Sequence, residues 1–127
     1  MSNFENKTIK VKITGDALEY FERLEKNVNK EIEKGISSSE LQTLYDAIKE
    51  KINFLKKNPE YGVHIKKKLI PKKYINLYDV NNLWKVNLPG AQRMIYTIKG
   101  SEIEIIALIL DIFSHKNYEK TFGYKRG

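Results

Sequence analysis

A chain of 127 residues that is 41% hydrophobic and carries a net charge of +7 has room for one globular domain, residues 1–127, burying roughly two-thirds of its unfolded surface. With no cysteine it has no disulfide, no thiolate metal ligand and no cysteine nucleophile, which fits a reducing compartment. Its most apolar segment runs uncharged only over residues 105–110, where a membrane helix needs about 20, and the opening MSNFENKTIK has no signal-peptide core, so a cytoplasmic protein without membrane contact is expected.

Residues 8–14, TIKVKIT, alternate Ile9, Val11 and Ile13 against Lys10 and Lys12, the pattern of a half-exposed strand. Gly15-Asp16 breaks it, and Asp16 is the expected N-cap of a helix. Leu18, Phe21, Leu24, Val28 and Ile32 then form one apolar stripe that ends near Gly35. Ser37 and Glu40 have the spacing of a capping box. They open a second helix whose stripe is Leu41, Leu44, Tyr45, Ile48, Ile52 and Leu55, and Asn58-Pro59 stops it. The short Gly/Ser turn between them predicts an antiparallel helical hairpin. From residue 63 the reading is β-rich. A lysine-rich piece spans residues 63–70, and residues 83–88 alternate Trp84, Val86 and Leu88 against Lys85 and Asn87. Pro89-Gly90 turns into residues 92–99, where Met94, Tyr96 and Ile98 oppose Arg93, Ile95 and Thr97. Gly100-Ser101 turns into residues 102–113, apolar on both faces as in a central strand. The expected fold is α+β: an N-terminal strand, an antiparallel helical hairpin, then a mostly antiparallel sheet of three or four strands.

The charge is unevenly placed. Residues 1–63 hold 11 basic and 11 acidic residues, whereas residues 64–127 hold 12 basic and 5 acidic ones, the whole net charge. A neutral half joined to a basic half predicts a scaffold with a polyanion-binding surface. The densest cluster is Lys66, Lys67, Lys68, Lys72 and Lys73, expected to touch phosphates of a polyanion, together with Asn87 and Lys116.

If Trp84, Val86, Leu88, Met94, Tyr96 and Ile98 face the helices, Lys85, Asn87 and Arg93 share the opposite face. The segment after the last strand can bring His115 and Tyr118 to the same edge. An imidazole, a phenol, an ammonium and a guanidinium suffice for phosphodiester cleavage without a metal or cofactor. One group takes the 2′-hydroxyl proton, the cations stabilise charge on phosphorus, and one protonates the leaving 5′-oxygen. Two histidines 51 positions apart argue against zinc.

Residues 82–124, NLWKVNLPGAQRMIYTIKGSEIEIIALILDIFSHKNYEKTFGY, resemble the RelE/ParE superfamily of type II toxin–antitoxin toxins. Three features carry the likeness: a basic strand ending at a turn, an R-x-x-Y strand after it, and H-K-x-Y after an apolar strand. The segment resembles in particular a RelE-like branch that reads close to NLWR-x-x-LPGGWR-x-x-YTI and DHKEYEKRFGY. The resemblance implies that Lys85, Arg93, His115 and Tyr118 match the catalytic positions. It further implies an mRNA endoribonuclease acting in the ribosomal A site and held by a cognate antitoxin. The ParE side of the superfamily implies a different outcome, inhibition of DNA gyrase without nuclease activity. The chain departs from the pattern at Ala91-Gln92, where relatives place an aromatic residue, and at Asn87, where some have a second lysine.

Overall fold

A computed structural model describes residues 6–101 and 103–123 of the chain. In chain order the elements are β1 (Thr8–Ile13), α1 (Gly15–Glu33), α2 (Glu40–Lys57), β2 (Val63–His64), α3 (Lys72–Tyr78), β3 (Trp84–Leu88), β4 (Gln92–Gly100), β5 (Glu104–Ser114) and α4 (His115–Phe122). The α+β class is as expected, and so is the helical hairpin. The sheet is larger and mixed: five strands in the order β1-β5-β4-β3-β2, with β1 parallel to β5 and the other neighbours antiparallel. A hairpin between β1 and the remaining strands makes the parallel pairing possible, because the helices provide the crossover that parallel neighbours require. The apolar β5 lies between β1 and β4, with α1 and α2 over one face and α3 and α4 over the other, so both of its faces are hydrophobic.

The hairpin covers one face of the sheet. Leu24 and Val28 of α1 and Leu44, Ile48 and Leu55 of α2 pack with Val86, Leu88, Met94, Tyr96, Ala107 and Ile109. Phe21 stacks on Tyr45 at 5.5 Å between the two helices. Several sequence expectations are corrected here. Leu18, Ile32 and Leu41 are exposed, while Ala17 is fully buried, so the α1 stripe is rotated toward the small residue that lets helix and sheet approach. The α1 N-cap is Thr14 rather than Asp16, its carbonyl accepting from Leu18 N at 3.3 Å; Gly15 follows with a positive φ of 55°, where a Cβ would collide with the Tyr78 hydroxyl. Ser39, not Ser37, caps α2, its hydroxyl accepting from Gln42 N at 3.1 Å.

Residues 63–70 are not a continuous strand. Only Val63 and His64 pair with β3, and a single 3-10 turn, Lys67–Leu69, leads to a helix, α3, in place of further β-structure. Local propensity yields here to burial, because Tyr74 must reach the second sheet face. Glu102, where the last strand was expected to begin, lies outside the described residues, as does Tyr124. Ile103 is exposed ahead of β5. Among the described residues, no helix is long and apolar enough to cross a membrane.

The other sheet face carries a smaller core of Ile65, Ile70, Tyr74, Leu83, Ile95, Leu110, Tyr118 and Phe122, held under α3 and α4. A register shift between Ile95 and Tyr96 pairs them with Asp111 and Ile109, leaving Leu110 as a bulge in β5. The bulge reverses the alternation. Ile109 and Ile112 face the hairpin, whereas Leu110 and Phe113 pack with the second core.

Candidate functional site

The second sheet face presents two rows across β3, β4 and β5: Lys85, Ile95 and Asp111 in register, then Asn87, Arg93 and Phe113. Lys85 and Arg93 therefore share a face opposite the hairpin, as their alternation with Val86 and Met94 requires. At the end of β5 the chain passes into α4 without a loop. Ser114, paired with Gln92, is the N-cap, and its hydroxyl accepts from Asn117 N at 3.2 Å. His115 thus begins α4 beside Arg93. The spacing of Tyr118 and Phe122 turns both aromatic rings down onto the sheet, and Gly123 closes the helix in the left-handed conformation.

This arrangement brings four of the expected side chains together. Lys85 Nζ lies 3.3 Å from the Tyr118 hydroxyl and 5.1 Å from its ring centre, and the Arg93 guanidinium lies 5.8 Å from the same ring. Arg93 Nη2 donates to His115 Nδ1 at 3.2 Å, and the His115 and Tyr118 rings are near parallel at 6.5 Å. Tyr118 is 3% exposed and packs at 4.6 Å on Phe122. Its ring organises the two cations and is not open for stacking on a base. Arg93 also donates to the Gln92 carbonyl at 3.1 Å, while its Nε is buried without an acceptor among the described residues.

Glu119 was not among the expected site residues. Its carboxylate stands 2.9 Å from His115 Nε2. The signal was the i,i+4 spacing, legible once residues 115–122 are read as a helix between a serine cap and a glycine stop. Asp111, opposite Ile95 on the same face, does not pair with Arg93. It is instead engaged by the Tyr74 hydroxyl at 2.7 Å and Lys73 at 3.3 Å. Burial first, then the Asp111 charge, pushes Tyr74 ionisation far above the usual phenol range, so this hydroxyl stays a neutral donor.

Lys66, Lys67, Lys68 and Lys72 are exposed around the 3-10 turn and the start of α3, the layer that also holds α4. Lys72 and Lys73 occupy the first turn of α3, where a positive charge opposes the helix dipole, so helix stability does not explain them. Lys116 is exposed in the first turn of α4, and Asn87 is exposed opposite Arg93. A cavity of about 600 Å³ lies on the hairpin side, lined by Tyr20, Ser39, Leu44, Pro89 and Gln92 and by none of the clustered side chains. The cluster is partly covered by α4: Lys85, Arg93 and His115 are half-buried and Tyr118 is buried. The described residues contain no group of His, Asp and Glu arranged to hold a metal ion. The chain matches no family model, no curated protein and no solved structure.

Proposed function

We propose that this protein is a RelE-like toxin, a metal-independent endoribonuclease that cuts ribosome-bound mRNA and is neutralised by a cognate antitoxin. The observation that carries this reading is the convergence of Lys85, Arg93, His115 and Tyr118 beside one sheet face, Lys85 within hydrogen-bonding distance of Tyr118 and Arg93 of His115, with both cations against the Tyr118 ring. His115 takes the ribose 2′-proton. Arg93 and Lys85 stabilise the charge that grows on phosphorus, and the Lys85 ammonium protonates the departing 5′-oxygen. The products are a 2′,3′-cyclic phosphate and a 5′-hydroxyl. Tyr118 holds the two cations in place, and the exposed lysines of the 3-10 turn and α3 grip phosphates of the RNA and ribosome.

Expression without antitoxin tests this. Pulse labelling should show protein synthesis falling before DNA synthesis, with cleaved mRNA accumulating. A prior fall in DNA synthesis with intact mRNA would overturn the proposal in favour of a gyrase-directed, ParE-like inhibitor.

A further inference from the structure

We infer that the Arg93 guanidinium is a phosphodiester-operated cover on His115, and that Glu119 is the positioning residue holding the imidazole in the tautomer this cover requires. The inference rests on the cleavage reading above and describes how that site is regulated.

A guanidinium has donors only, so His115 Nδ1, 3.2 Å from Arg93 Nη2, must present its lone pair. The ring proton of the neutral imidazole then lies on Nε2, where the Glu119 carboxylate accepts it at 2.9 Å. Both groups sit on α4 four residues apart, so helix geometry sets the orientation of the ring. The nitrogen able to take a proton is therefore the one under Arg93.

Arg93 is itself incompletely satisfied. Its described bonds go to one backbone carbonyl and one imidazole nitrogen, and its buried Nε has no acceptor among the described residues. The two free oxygens of a phosphodiester match the guanidinium fork and accept charge-assisted bonds, about twice as strong as a bond between neutral partners. An arriving phosphodiester draws Arg93 onto itself and uncovers Nδ1 beside the adjoining ribose. Nδ1 then takes the 2′-hydroxyl proton as the O2′–P bond forms. The P–O5′ bond breaks, the 5′-oxygen takes a proton from the Lys85 ammonium, and Glu119 holds the imidazolium formed at His115. In the absence of a phosphate the base stays covered, which keeps the site from acting on other hydroxyls.

The test is nitrogen NMR of the full chain carrying labelled histidine, near pH 8, with the His115 signals assigned by their loss in His115→Gln. A 2′-deoxy dinucleotide, which has no nucleophile and cannot be cleaved, serves as the phosphodiester probe. The wild type should show the Nε2–H tautomer, and the probe should move the Nδ1 signal while leaving Nε2–H in place. Glu119→Ala should give a tautomer mixture once the bound dinucleotide has drawn Arg93 away. Glu119→Gln should lower single-turnover cleavage about 10- to 100-fold while half-saturating RNA changes less than about twofold. An Nδ1–H tautomer in the wild type, an Nδ1 signal indifferent to the dinucleotide, or an unchanged tautomer in dinucleotide-bound Glu119→Ala would overturn the inference. Wild-type cleavage by Glu119→Gln would overturn the positioning role. None of the NMR results needs turnover, so a protein that binds the dinucleotide as described but cuts no RNA sinks the nuclease reading separately.

Discussion

The Tyr74 hydroxyl and the Asp111 carboxylate form a buried 2.7 Å hydrogen bond that ties α3 to the bulged stretch of β5. Lys73 stands 3.3 Å from the same oxygen but is about half exposed. The bond holds the second core, and with it Tyr118, against the sheet face that carries Lys85 and Arg93. Tyr74→Phe should therefore destabilise the fold by about 1.5–3 kcal/mol, the usual worth of a hydrogen bond to a charged group. Lys73→Ala should cost less than about 1 kcal/mol, because solvent screens the exposed pair. Urea unfolding of the two variants checks the ranking; equal losses would mean that the exposed ion pair anchors Asp111 as strongly as the hydroxyl does.

Arg93→Ala should lose cleavage of ribosome-bound mRNA by about 10²–10³, the typical effect of removing one transition-state charge contact. Arg93 contributes to neither hydrophobic core, so the melting temperature should stay within about 4 °C. Arg93→Lys should recover little, since an ammonium cannot reproduce a two-pronged contact. Single-turnover assays beside thermal melts decide it. Undiminished cleavage would remove Arg93 from the mechanism, and a collapsed melt would make it structural.

Replacing Lys66, Lys67 and Lys68 together by Ala should flatten the slope of log affinity against log salt by about 2–3 units for RNA or ribosomes. All three are exposed, so the fold should tolerate the change. A slope equal to that of the wild type would show that the cluster touches no phosphate.

Alkaline stability should depend on Tyr96. Its hydroxyl donates to the Pro59 carbonyl at 2.6 Å and accepts from Gly62 N at 3.0 Å, and burial pushes its pKa up to about 12. A folded value above the unfolded value of about 10 means its contribution is complete below pH 10 and drains away as pH rises from 10 through 12. Tyr96→Phe should be less stable at pH 7 by about 1–3 kcal/mol, having left the Gly62 N–H unpaired. It should then lose less stability than the wild type between pH 10 and 12. Parallel stability curves over that range would show that the phenol does not carry the alkaline loss.

Alternation along residues 84–88 and 92–98 was enough to place Lys85 and Arg93 on one face, because a strand has a period of two whatever surrounds it. The helical stripes were legible for the same kind of reason. Leu24, Val28, Leu44, Ile48 and Leu55 are buried where a period of 3.6 puts them, although Leu18, Ile32 and Leu41 at the margins are not. A stripe defines a direction but not its angular width, which depends on how closely the sheet approaches.

Long-range placement was not legible. The parallel pairing of β1 with β5 joins residues nearly a hundred positions apart, and no local pattern encodes which edge a strand will take. The bulge at Leu110 leaves no mark in a run where every side chain is apolar, yet it decides which way Asp111 and Phe113 point. Glu119 had its spacing in plain view but acquired a meaning only when α4 formed directly off β5 and set His115 between that carboxylate and Arg93. Local periodicities follow from backbone geometry that each residue carries with it. The company each side chain keeps follows from how the elements pack, which depends on the volume and polarity of all of them together.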